Sequence, residues 1–112
     1  MSGYSEGGPV YELNDPNYQR LYSVLERAYD QAARGKGMER HANGRRFEDQ
    51  PMQIISGLLD TDGGMAFQAI KKIQESRRLP NSERRVAELL GAINYIAGMI
   101  IYEESHSFNE TE

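Results

Sequence analysis

The segment from Asp15 to Gly35 carries the feature that most restricts the fold, an apolar repeat of helical period. The repeat consists of Tyr18, Leu21, Tyr22, Leu25, Ala28, Tyr29 and Ala32. Asp15 can cap a helix, Pro16 suits the first helical position, and Gly35 suits a left-handed residue after the end. The spacing therefore predicts a helix of about five turns with one apolar face in the core.

Three later segments carry the same period. We expect a short helix after Pro51, a third helix that starts near Asp62 and is ended by Pro80, and a fourth helix capped by Ser82. The predicted core positions of these helices are Met52, Ile55, Leu58, Leu59, Ala66, Phe67, Ile70, Ile73, Val86, Leu89, Leu90, Ile93, Ala97 and Ile100. Because no segment shows sustained strand alternation, the sequence predicts an all-α fold, an antiparallel bundle of three to four helices.

Length and composition predict one domain, residues 15–104, between polar ends at 1–14 and 105–112 that we expect to be mobile. The chain contains no cysteine and starts without the basic and apolar pattern of a secretory signal. Its most apolar run, 86–102, is interrupted by Glu88, Asn94 and two glycines, and falls short of the ~20 apolar residues of a membrane span. We therefore expect a cytoplasmic protein without membrane contact.

Helix four is apolar nearly all the way round, which is typical of a helix buried on several sides. A row of small side chains at Ala87, Gly91, Asn94 and Gly98 also runs along it. These features predict a homo-oligomer with helix four at its interface; in the alternative, helix four is only the central helix of the bundle. Asn94 would either form a hydrogen bond across a helix interface or contact a ligand.

The net charge of −4 argues against general nucleic-acid binding, which requires a surplus of Lys and Arg. The charge is unevenly distributed, since residues 34–85 contain 11 basic and 7 acidic residues. The rest of the chain contains 2 basic and 10 acidic residues.

The segment 35–50 is longer than the usual connection between helices of a bundle. Asn43-Gly44 favours a two-residue hairpin turn, which would place Arg40 and Arg45 on one face with Phe47, and His41 and Arg46 on the other. Arginine forks suit phosphate, and an aromatic ring can stack on a base. The predicted ligand-binding residues are Lys36, Arg40, His41, Arg45, Arg46, Phe47, Lys71, Arg78, Asn94 and Tyr95.

These residues predict a site for a small phosphorylated, nucleotide-like ligand. In the alternative interpretation the loop is a solvated surface, in which Arg40, Arg45 and Arg46 pair with nearby carboxylates. The helix charges, Lys71 and Arg78 among them, would likewise be a solvated face.

No motif assigns a reaction. The two histidines, His41 and His106, are far apart, the glycine-rich phosphate motifs are incomplete, and no metal-ligand spacing is present. As a small helical protein with a predicted nucleotide ligand, the chain resembles the MazG-type pyrophosphohydrolases. It lacks their paired E-x-x-E and E-x-x-D motifs. We therefore expect no enzymatic activity, metal or cofactor.

The runs "GKGMERHANGRRFEDQP", "AFQAIKKIQESRR" and "AELLGAINYIAGMIIYEE" resemble small helical proteins of tailed phages and prophages. Phage proteins of this size include sponges that trap the cyclic nucleotide signals of bacterial immunity. The resemblance implies a non-enzymatic, oligomeric binder of a nucleotide-derived ligand with a counter-defence role. The alternatives are a helical protein-interaction module and a nucleotide phosphohydrolase.

Overall fold

A computed structural model describes residues 15–35 and 44–106, and within these ranges every regular element is helical. The four helices are α1 (Gln19–Arg34), α2 (Pro51–Leu59), α3 (Gly63–Ser76) and α4 (Ser82–His106). Short 3₁₀ turns, Pro16–Tyr18 and Phe47–Asp49, precede α1 and α2. The all-α class predicted from the helical period is confirmed, and the four helices lie where that period placed them.

Local side chains set most of the helix boundaries. The Asp15 side chain accepts a hydrogen bond from the backbone N–H of Asn17 at 2.9 Å, as expected for a cap. Asn81 caps α4 by accepting from the N–H of Arg84 at 2.8 Å, so the prediction of Ser82 as the cap is wrong by one residue. Asp60, with φ of 58°, ends α2 in the left-handed conformation.

Gly35 is extended rather than left-handed, so that part of the sequence prediction is wrong. A side chain there is still excluded, because a Cβ atom would lie 2.6 Å from the carbonyl oxygen of Gln31.

The helix α4 is central, and the other three helices pack on it. α1 runs antiparallel to α4, because Ala28 pairs with Asn94 while Gln31 pairs with Ala87. α3 is also antiparallel, since a Cβ atom on Gly98 would touch Met65 and one on Gly91 would touch Lys72.

The row of small residues on α4 is in contact with the chain's own helices. A Cβ atom at Gly98 would lie 2.8 Å from Sδ of Met65 and 3.2 Å from Cε of Met52. A Cβ atom at Gly91 would lie 2.9 Å from Cδ of Lys72. The sequence analysis assigned this row to contact with another copy, whereas in the structure it allows α2 and α3 to approach α4 closely.

The core is small and differs from the predicted one. Among the described residues the buried apolar side chains are Ala28, Met65, Ala69, Ala92 and Tyr102. The predicted core positions that are exposed instead are Tyr18, Leu21, Tyr22, Leu25, Tyr29, Ile55, Leu58, Leu59, Phe67, Ile70, Ile73, Leu89 and Ile100. The physical reason is that small residues of α1, α3 and α4 lie between the helices, together with Met65 and Tyr102, while most of the other bulky side chains point away.

Within the described residues, α4 is long and apolar enough to cross a membrane by length and composition. This differs from the expectation that its apolar run is too short. A mostly buried core helix of a soluble protein meets the same criterion, whereas 22% of the apolar stretch of α4 is buried inside the chain.

Candidate functional site

Fifteen large apolar side chains are exposed on the outside of the described domain, and we call them together the outer apolar surface. Its members are Tyr18, Leu21, Tyr22, Leu25, Tyr29, Ile54, Ile55, Leu58, Leu59, Phe67, Ile70, Ile73, Leu89, Ile96 and Ile100. The most exposed are Leu58 at 81% and Ile70 at 65%. Soluble monomers rarely expose contiguous apolar patches larger than a few hundred Å².

On α1 this surface is a second stripe beside the one that packs on α4. At about 100° per residue, Tyr18, Tyr22, Leu25 and Tyr29 lie about 60° to 120° round the helix from the buried Ala28. The repeat that predicted the helix therefore combined two faces, of which the one at Ala28 turns inward, although Leu21, about 20° from Ala28, is 54% exposed. Periodicity alone does not distinguish the face that turns inward.

On α4 the outer apolar surface lies opposite the glycines. Leu89, Ile96 and Ile100 lie within about 20° of the direction opposite Gly98. Together with the partly exposed Ile93 they form a line of aliphatic side chains spaced four, three and four residues apart, which we call the α4 seam. Such spacing is that of the core positions of a coiled coil.

Polar side chains, by contrast, are found between the helices. Gln31 donates to the carbonyl of Ala87 at 3.1 Å, Gln53 donates to that of Gly98 at 2.8 Å, and Asn94 donates to that of Ala28 at 2.9 Å. These three bonds connect α1 and α2 to α4 and fix the register of the helices. Asn94 thus has the helix-interface role that was one of its two predicted roles.

Gln31 and Gln53 are structural residues that the sequence analysis missed. The sequence signal that could have identified them is an amide side chain three or four residues from a small residue, which places both on one face of a helix. Gln31 and Ala28 are such a pair.

The structure describes the predicted ligand loop only in part, since Lys36, Arg40 and His41 lie outside the described residues. Gly44 has φ of 79°, which suits a turn. Arg45 and Arg46 are not in a strand, however, and Phe47 begins a 3₁₀ turn. The second strand of the predicted hairpin is therefore not formed. The reason is that the residues after Arg46 form the 3₁₀ turn Phe47–Asp49 instead.

Arg46 closes that turn. Its Nε donates to Oδ2 of Asp49 at 2.8 Å, and its Nη1 lies 3.7 Å from Oε2 of Glu48. The hydrogen bond that Arg46 donates to Asp49, with the charges of Asp49 and Glu48, raises the pKa of Arg46, which is charged at every ordinary pH. For Arg46 the structure agrees with the alternative interpretation, in which loop arginines pair with nearby carboxylates.

The remaining predicted ligand residues are dispersed. Arg45 precedes α2, whose Gln53 bonds to Gly98, while Arg78 lies beside Leu79, which accepts from Arg85 at 2.8 Å. Gly98 and Arg85 are about 20 Å apart along α4, so Arg45 and Arg78 belong to opposite ends of the domain. Lys71 is exposed on α3, and Phe47 and Tyr95 are partly exposed.

The two ends of the domain carry opposite charge. The pKa of the Tyr102 hydroxyl is raised chiefly by burial, and to a smaller extent by the negative charges of Asp60, Asp62 and Glu103. These carboxylates, with Glu104, form an acidic end near the carboxyl terminus of α4. Arg77, Arg78, Arg84 and Arg85, at the turn between α3 and α4, form a basic end.

Among the described residues, no group of three or more His, Cys, Asp or Glu side chains is placed to hold a metal ion. Comparison with protein-family models, with curated proteins and with solved structures gives no match. The outer apolar surface, rather than a cluster of reactive groups, is thus the feature on which a functional argument can be built.

Proposed function

We propose that the chain is a non-enzymatic helical interaction module that works as a homo-oligomer. The observation that carries the proposal is the outer apolar surface, with fifteen large apolar side chains exposed among the described residues. Burying a Leu, Ile or Phe side chain fully stabilises by about 1.5–3 kcal/mol. A partner that covers this surface would therefore be bound with a large hydrophobic contribution.

The small core supports the same proposal. Three of the five buried apolar side chains are alanines, which leaves Met65 and Tyr102 as the large ones. Ordering each residue costs about 1–2 kcal/mol of backbone entropy, so a partner that buries more apolar surface would add to the stability of the folded chain. Most soluble oligomers are symmetric homo-oligomers, which favours another copy as that partner, and binding of this partner would make stability rise with concentration.

Light scattering and thermal unfolding at several protein concentrations test the proposal. We expect a mass above the 12.7 kDa of one chain and a melting temperature that rises with concentration. Ile96→Glu should lower the mass, because it places a charge in the covered surface. Gln74→Glu, the same new side chain at an exposed polar position of α3, is the matched control and should not. A monomer whose melting temperature is independent of concentration would contradict the proposal.

Binding of a small phosphorylated, nucleotide-like ligand is the second candidate function. It is favoured by cationic side chains that no carboxylate of the described residues neutralises, namely Arg45, Lys71 and Arg78. A role as a phage counter-defence sponge for cyclic nucleotide signals would be one form of this function. The dispersion of Arg45 and Arg78 makes the loop itself, with Arg40, the better candidate site.

Calorimetry against a panel of linear and cyclic nucleotides tests this second candidate. Arg40→Ala and Arg45→Ala should each weaken binding at least about tenfold, because charge-assisted bonds to phosphate are lost. Arg46→Ala is the control, since Arg46 is already paired with Asp49. Recovery of product instead of the added nucleotide would indicate the phosphohydrolase alternative, and absence of binding across the panel would eliminate both.

A further inference from the structure

We propose that α4 pairs antiparallel with α4 of a second copy, along the α4 seam. This inference rests on the proposed function and deepens it, since it names the partner and the face. The seam is continuous for about 16 Å between Leu89 and Ile100, and its members have no polar side-chain atom. Leu and Ile at four-three spacing are the residues that interlock between paired helices.

The spacing of the α4 seam indicates a two-fold arrangement. The intervals of four, three and four residues read the same in both directions. In an antiparallel pair Leu89 therefore meets Ile100 of the second copy, and Ile93 meets Ile96. Each contact then occurs twice, as an isologous interface requires.

The charges at the two ends select the antiparallel direction. Antiparallel pairing places Glu103 of one copy beside Arg85 of the other, and by helical geometry each of these residues lies about 50° from the α4 seam. Parallel pairing would instead place acidic ends together and basic ends together. Complementary charges guide association and like charges oppose it. The dipoles of antiparallel helices are also mutually favourable.

The exposed face of α1 suits this contact less well. The outer stripe of α1 consists mainly of tyrosines, whose hydroxyl groups tolerate water. Glu88 on α4 forms an ion pair with Lys72 on α3 at 3.4 Å, so a charged pair lies within the length of α4, which a bilayer disfavours.

Disulfide trapping between two single variants tests the register. The chain has no cysteine, so Leu89→Cys and Ile100→Cys each introduce one thiol. Mixed and oxidised, the two variants should give at least ten times more covalent dimer than either variant alone. The reason is that a disulfide requires Cα atoms within about 7 Å, whereas the same position on two antiparallel copies is about 16 Å apart.

Each outcome is decisive. Covalent dimer from Leu89→Cys alone would show parallel pairing and overturn the proposal. Absence of covalent dimer from the mixture, in a sample whose mass exceeds one chain, would overturn the seam while leaving the proposed function intact. A mass of one chain would overturn both. If Leu89→Cys does not fold, Val86→Cys mixed with Glu103→Cys tests the same register, because like positions are then about 25 Å apart, and the mixture must give covalent dimer that neither variant gives alone.

Discussion

The two opposite faces of α4 carry different kinds of side chain. The same difference separates the inside of the domain from its surface. The face with Gly91, Asn94 and Gly98 contacts α1, α2 and α3 of the same chain through small residues and amide hydrogen bonds. The face with Leu89, Ile96 and Ile100 is aliphatic and about half exposed. Close approach between helices therefore determines the inside of this chain, and the bulkiest apolar residues are left for contacts outside it.

The largest change in the free energy of unfolding should come from truncating a side chain inside the domain. Truncating a side chain on the α4 seam provides the comparison. Met65→Ala removes the largest fully buried side chain and should lower the free energy of unfolding by about 3 kcal/mol. Ile100→Ala, on the α4 seam, should cost less than about 0.5 kcal/mol in an isolated chain but more than about 1 kcal/mol where a second copy covers it. Urea unfolding followed by circular dichroism measures both, and equal small effects would contradict the difference between the faces.

A bulky residue on the glycine face should be the next most damaging change. Gly98→Leu brings new atoms against Met65 and Met52, and such overpacking should cost about 2 kcal/mol or more. Gly57→Leu is the matched control, because a Cβ atom there meets nothing within 4 Å and leucine favours helix. Thermal unfolding should separate the two variants; similar melting temperatures would mean that the glycine face is not closely packed.

The amide bonds between helices should contribute less. Asn94→Ala removes the donor to the Ala28 carbonyl and should cost about 1 kcal/mol. Gln74→Ala, at an exposed amide on α3, is the control and should stay within about 0.5 kcal/mol of the parent. If Asn94→Ala instead matches this control, its bond to α1 does not stabilise the fold.

The smallest expected effect concerns alkaline pH. The pKa of Tyr102 is raised by burial and by the nearby carboxylates, so above pH ~10 the unfolded chain releases a proton that the folded chain retains. Stability should therefore fall as pH rises from about 10 toward the folded pKa. Tyr102→Phe should reduce this slope in thermal unfolding, whereas Tyr29→Phe, at an exposed position, should not. If stability falls equally with pH in the two variants, the fall does not come from the Tyr102 hydroxyl.

The sequence predicted the helices well because period, caps and prolines are local signals. Asp15, Pro16 and Pro51 all lie at helix starts. It failed for the core, because α1 and α4 each carry two apolar faces and periodicity does not say which one turns inward. The inward faces are marked by small residues such as Ala28, Gly91 and Gly98, a weaker signal than bulk.

Of the predicted ligand site, only the paired state of Arg46 follows from residues nearby in the sequence, since the bond from Asn94 reaches Ala28 on another helix. The separation of Arg45 from Arg78 could not be predicted, because it depends on which end of α4 each adjoining helix packs against.

Whether the outer face of α4 is covered in solution can be measured directly by methyl NMR with a soluble paramagnetic agent. The account predicts that the methyl groups of Ile96 and Ile100 are protected nearly as well as that of Met65, which is buried within the chain. In a sample diluted until one chain is the dominant species, that protection should be lost for Ile96 and Ile100 but kept for Met65. Strong relaxation of Ile96 and Ile100 at every concentration would contradict the account, since the α4 seam would then face water.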